Sequence, residues 1–241
     1  MMRRYFIMML CLMLAPGAVA SPSDSTVVDR FEARQLILPG ALVAVGAFGA
    51  ANGWMRHIDR EITDAIGTNH RYACSDYLQF VGIGANVALG SIGVKARHSL
   101  RDRALVTATA WVALECMVQG VKRTVDRSRP DGTDDNSFPS GHAARAFLGA
   151  ELVRMEYGTW YGAGAYALAA AVSTFRVCGM HHWTSDVIAG AGMGILAARV
   201  GSWLLPVEKR LFGLSDDRGM VVMPVCNVAE RSVSMSFSMA F

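Results

Sequence analysis

Three short runs, far apart in the chain, carry side chains able to do chemistry on an anion: Lys122 with Arg129-Pro130, then Pro139-Ser140-Gly141-His142, then Arg176 with His182 and Asp186. Together they supply permanent cations, two imidazoles and a carboxylate, the set needed to bind a phosphoryl group and cleave its ester. Lysine acts on phosphate as a point charge, whereas arginine presents a planar fork to two oxygens. Pro130 stops any helix just after Arg129, so Lys122 and Arg129 leave one element on the same side and can converge on one anion. Taken alone, that run, with Arg123 and Arg127 beside it, reads more simply as a basic cap at a membrane surface.

The second run is harder to reduce to packing. Ser140 is expected to cap a following helix, Gly141 to let the backbone approach a ligand, and backbone N–H groups of that first turn to bind phosphate oxygens. A turn and a cap explain the serine and the glycine but not His142 beside them. In the third run His182 lies four residues before Asp186, about one helical turn, so Asp186 can accept the imidazole N–H and leave the other nitrogen free to attack. His181 has the wrong phase for that pairing and reads as a wall residue. The plainer reading of this run is a helix start with aspartate in its first turn.

The elements that position these runs are helical and apolar. Hydrophobic residues make up 52% of the chain and charged residues 18%, against roughly 25% charged in a soluble domain, which points to a membrane protein. A net charge of +3 with no basic-aromatic patch argues against a nucleic-acid partner. Residues 1–20 read as a secretory signal, with Arg3 and Arg4, an apolar stretch, and Ala18-Val19-Ala20 before Ser21; the alternative is a retained membrane anchor. Apolar stretches recur at 36–54, 77–94, 104–121, 160–175 and 187–205, several close to the span of a bilayer. The stretch 143–157 carries Arg145, Glu151 and Arg154 and should face the bundle or water. The expected fold is all-α, a six-helix membrane bundle over residues 21–210. In the remaining tail, 211–241, the alternation from Ser232 has the period of a strand, giving a small hairpin with 220–228 or a loosely ordered end. Cys74, Cys116, Cys178 and Cys226 follow no zinc or redox spacing.

In order and spacing the three runs resemble the signature of the type 2 phosphatidic acid phosphatase superfamily, which also contains bacterial class A acid phosphatases and vanadium haloperoxidases. Lys122 and Arg129-Pro130 match its first motif, Pro139-Ser140-Gly141-His142 its second, and Arg176, His182 and Asp186 its third. One position departs: the family usually has serine before the third-motif arginine, and this chain has Phe175. The resemblance implies that Lys122, Arg129 and Arg176, with backbone amides around Ser140 and Gly141, hold the phosphoryl oxygens. It implies that His182 attacks phosphorus, that His142 protonates the leaving alkoxide, and that Asp186 holds His182. Fixed positive charge then takes the place of a metal, and no metal or other cofactor is expected.

A membrane lipid-phosphate phosphatase accounts for both the motifs and the apolar stretches. A soluble periplasmic acid phosphatase would need those stretches as buried core, a haloperoxidase would use the same cage for vanadate, and a non-enzymatic membrane protein would need the match to be incidental. A cleaved signal followed by three spans puts the site in the cytoplasm. The positive charges of Lys95, Arg97, Arg101 and Arg103 put that connection inside and the site in the periplasm, which is the expected side of a multi-pass bacterial-type inner-membrane enzyme. Phosphatidic acid, phosphatidylglycerol phosphate, undecaprenyl pyrophosphate and a lipid A phosphate are all open as substrates, and the oligomeric state is not legible.

Overall fold

The computed structural model describes residues 31–68, 70, 72–213, 220–227 and 232–239; the signal expected at 1–20 lies outside them. The helices are α1 (Ile37–Ala51), α2 (Gly53–Ile66), the single turn α3 (Ser75–Leu78), α4 (Val81–Ala88), α5 (Leu100–Lys122), α6 (Gly141–Tyr157), α7 (Thr159–Cys178) and α8 (Thr184–Leu211). Seven of these have eight residues or more, so the six-helix expectation is corrected at two places.

The stretch 36–54 is not one helix. It ends at Ala51, because Asn52 takes an extended conformation and its side chain accepts from the backbone N–H groups of Trp54 at 3.0 Å and Met55 at 3.4 Å, starting a new helix. The new helix, α2, is amphipathic. It buries Asp59 and Thr63, one turn apart, and leaves Trp54, Ile62 and Ile66 exposed. The stretch 77–94 is broken as well, into α3, α4 and a 3-10 turn at Leu89–Ile92. Four glycines in that stretch weaken the helix, and Gly93, at φ 98°, ends it in the left-handed region.

Close packing of small residues joins the helices. A Cβ at Gly149 of α6 would stand 2.5 Å from the backbone nitrogen of Ile83 in α4, and one at Gly46 of α1 would stand 2.6 Å from the Cβ of Ala189 in α8. Only glycine lets these backbones approach so closely, a mode of helix association suited to a bilayer. Between α6 and α7 the core is alanine and valine, with Ala150, Val153, Ala169 and Val172 buried.

Among the described residues, three helical segments are long and apolar enough to cross a membrane: Ala33–Ala51, Leu100–Lys122 and Thr184–Leu211. Their apolar surface is turned outward in the first two, with Phe48 58% and Val112 60% exposed. A soluble protein would hide such surface, so the stretches are not the buried core that a soluble enzyme requires, and this is the exterior of a membrane protein.

The chain divides into a unit ending at Trp203 and a second unit, Leu204–Phe241. The second contains the end of α8 and two strands, β1 (Met220–Asn227) and β2 (Ser232–Met239), paired antiparallel from Met220↔Met239 to Asn227↔Ser232.

Candidate active site

Alternating helix directions bring the end of α5, the start of α6, the end of α7 and the start of α8 together, and with them all three runs. The segment after α5 folds back on itself. The backbone N–H of Arg127 donates to the carbonyl of Asp135 at 2.8 Å, and that of Arg129 to Asp134 at 3.0 Å. The Lys122 ammonium donates to the carbonyl of Asn136, and Arg129 Nε to Asp134 Oδ1 at 2.8 Å. Burial pushes the Asp134 carboxyl up, but the N–H of Asn136 and the charges of Arg129 and Lys122 outweigh it and hold it below its ordinary value. His181 turns its Nδ1 to Asp131 at 3.1 Å, while the Asp131 N–H donates to Met180 at 3.0 Å. The supposed wall residue therefore pins this segment to the α7–α8 connection.

His182 is buried, and its Nδ1 lies 2.8 Å from the backbone carbonyl of Ser137. A carbonyl only accepts, so the proton sits on Nδ1 and Nε2 keeps its lone pair. Asp186 was expected to take that N–H directly. Its Oδ2 stands 3.8 Å away, too far for a hydrogen bond. The reason is local: His182 precedes the helix, so helical spacing does not apply to it. The carboxylate instead turns back to the Trp183 N–H at 3.0 Å and accepts the Ser137 hydroxyl. Asp186 thus reaches His182 through Ser137, fixing the residue whose carbonyl orients the imidazole. Burial holds the His182 pKa below its ordinary value against the opposing pull of Asp186, and the charges of Arg176 and Arg129 add to the lowering.

On the other wall, His142 Nε2 lies 3.0 Å from Asp76 Oδ1, and the same oxygen is 3.4 Å from Arg176 Nη1. Burial first, and then the Arg176 charge, push the His142 pKa down to about 4, with Asp76 opposing. Ser140 donates its backbone N–H to the Asp186 carbonyl at 3.0 Å. It stands at the cap position of α6 without a side-chain cap bond, and its buried hydroxyl has no partner among the described residues. That corrects the expected capping role. Gly141 is the first residue of α6, and a Cβ there would meet protein atoms only at 3.8 Å and beyond. Phe175, in the place of the usual serine, stacks on Tyr72 with centroids 5.1 Å apart.

Four residues of this site carry no motif signal. Arg127 donates to Asp186 Oδ1 and to Ser185 Oγ at 2.7 Å, pairs with Asp59 Oδ2 at 2.9 Å, and lies over the Trp183 ring. Asp59 also accepts the Ser185 N–H at 3.1 Å, tying α2 to the start of α8. Ser137 and Asp76 complete the set. Only Arg127 was visible beforehand, as part of a basic run. Asp59 and Asp76 owe their positions to helices that sequence periodicity drew differently.

A family model described as the PAP2 superfamily matches residues 103–210. Over these residues the chain is similar to the PAP2 superfamily. All three motif runs fall inside the matched region, whereas Asp59 and Asp76 lie before it. A lipid A 1-phosphatase from Porphyromonas gingivalis is 38% identical over 130 residues, covering 52% of this chain and 29% of that protein. The chain thus spans under a third of the length of that relative. The crystal structure of a transmembrane PAP2 type phosphatidylglycerolphosphate phosphatase from Bacillus subtilis shares the fold, with a TM-score of 0.51 at 17% identity, covering 74% of this chain and 98% of that one.

Proposed function

We propose that this protein is a metal-independent lipid-phosphate phosphatase working through a phosphohistidine. The carrying observation is the state of His182: buried, with Nδ1–H committed to the Ser137 carbonyl, and with Nε2 unprotonated beside the charges of Arg176 and Arg129. Lys122, Arg129 and Arg176 hold the non-bridging oxygens, joined by backbone amides around Ser140 and Gly141. Nε2 of His182 forms a bond to phosphorus as the ester P–O bond breaks, and the proton on His142 goes to the leaving alkoxide. A water then attacks the phosphohistidine, giving its proton to His142, and inorganic phosphate leaves with His182 restored. Asp186 contributes through Ser137, stabilising the imidazolium side of the reaction at a distance.

The likeness to a lipid A 1-phosphatase makes the phosphomonoester of a lipid A-type glycolipid the leading substrate, and phosphatidylglycerol phosphate is the second reading favoured by the shared fold. The enzyme works as a multi-pass protein of a bacterial-type inner membrane, with the site toward the periplasm. Residues 21–210 form the phosphatase unit, preceded by a signal over 1–20 and followed by a tail from 211.

Phosphate release from micelles of lipid A 1-phosphate, phosphatidylglycerol phosphate, phosphatidic acid and undecaprenyl pyrophosphate tests this reading. Wild type releases phosphate in the presence of EDTA, and His182→Ala or His142→Ala abolishes release while leaving the protein membrane-inserted. Full activity in either variant, or loss with EDTA that a divalent metal restores, overturns it.

A further inference from the structure

Asp76 lies outside the matched family region and in none of the three motif runs, yet a single oxygen of its carboxylate faces both His142 Nε2 at 3.0 Å and Arg176 Nη1 at 3.4 Å. Its place is set by the break that sequence periodicity misses. The turn α3 (Ser75–Leu78) stands apart from α4, with Ser75 buried and its hydroxyl donating to the Tyr72 carbonyl at 2.8 Å. A straight helix over 77–94 would carry no such turn at its head.

We propose that Asp76 is the positioning residue of the general acid: its carboxylate holds His142 through Nε2–H and favours the imidazolium, the form that gives a proton to the leaving alkoxide. The inference rests on the phosphatase reading above. An ionised carboxylate only accepts hydrogen bonds, so Nε2 beside it is the protonated nitrogen. Asp76 also counters what surrounds the imidazole. Burial and Arg176 from α7 disfavour the charged form, His182 adds to this, and the Asp76 carboxylate opposes them. The other packed elements do not replace it. Helix α4 has no ionisable side chain; on α5, Glu115 is paired with Arg145 of α6 at 2.8 Å and Lys122 is turned to Asn136. A carboxylate near a phosphoryl anion also repels it, so Asp76 works against ground-state binding while supporting proton transfer.

Two opposite effects follow from removing it, which loss of structure would not produce. In Asp76→Ala and the near-isosteric Asp76→Asn, kcat on the best lipid of the panel falls about ten-fold, less than the roughly 10²–10⁴-fold of a whole general acid because His142 itself remains. The basic limb of the kcat–pH profile moves to lower pH, since His142 gives up its proton more easily without the carboxylate. Inorganic phosphate inhibits more tightly, because the repulsion is gone. Asp76→Glu restores part of kcat and moves the limb back. Wild-type kcat and an unmoved limb in both variants overturn the proposal; so does a fall in kcat with no shift of the limb and weaker phosphate inhibition, the pattern of simple structural damage. Should Asp76→Ala not insert, Asp76→Asn gives the same readouts. Failure of wild type to release phosphate from any lipid would instead overturn the phosphatase reading, before any variant is compared.

Discussion

At the residue scale, the geometry turns on how one buried histidine is held. His182 and Asp186 were legible as a pair because two such residues one turn apart are uncommon in an apolar chain. The contact between them was not legible, because it depends on where α8 starts. With Thr184 as the first helical residue, Asp186 serves its own helix terminus and Ser137, and Ser137 in turn serves His182. Arg127 is the counterweight. It sits between Asp59 and Asp186, and the three side chains are all at least nine-tenths buried. Removing one partner of a buried ionic group leaves its charge uncompensated, at a cost of about 3–5 kcal/mol. Arg127→Ala should therefore lower the thermal unfolding midpoint in detergent markedly and also reduce turnover, by freeing Asp186 and Ser137. A variant with wild-type stability would show that the bridge between the two aspartates contributes nothing.

At the element scale, periodicity found the long helices and missed the short ones. Stretches 104–121 and 187–205 lie inside α5 and α8, because a long apolar run has no competing conformation. The runs 36–54 and 77–94 were misread because a single capping asparagine and a few glycines override hydrophobic length. Those breaks matter to the chemistry, since α2 delivers Asp59 and α3 delivers Asp76. They also bear on orientation. Gly49, near the end of α1, packs against Ser185, so α1 finishes at the site end of the bundle. The connection bearing Lys95, Arg97 and His98 lies at the other end, where the His98 N–H donates to Glu156 at the foot of α6 at 2.6 Å. The positive-inside rule favours that connection on the cytoplasmic side, the arrangement that the proposed periplasmic site requires. With native cysteines replaced by alanine, Lys95→Cys should react with an impermeant maleimide only after the inner membrane is opened. Labelling in intact spheroplasts would put the site in the cytoplasm.

At the scale of the whole molecule, the outward apolar faces of α1 and α5 and the inward charged groups describe a bundle turned inside out relative to a soluble protein. The bundle collects three cations, two imidazoles and a buried carboxylate at one end, and its overall fold recurs in a transmembrane phosphatase with little sequence in common. Composition and motif order made the class of protein legible, because both survive without knowing any contact. Lipid preference was not legible, because it depends on helix surfaces that the phosphoryl chemistry does not specify. The reaction is most directly tested on the covalent intermediate. The enzyme is mixed with the most active lipid of the panel carrying ³²P in the scissile phosphoryl group, quenched in alkali within the first turnover, and digested for peptide mapping. The expected result is an acid-labile, alkali-stable label on His182, which accumulates in wild type and is absent from His182→Ala. A wild-type enzyme that turns over with no protein-bound phosphorus, or with the label on any other residue, would contradict the mechanism.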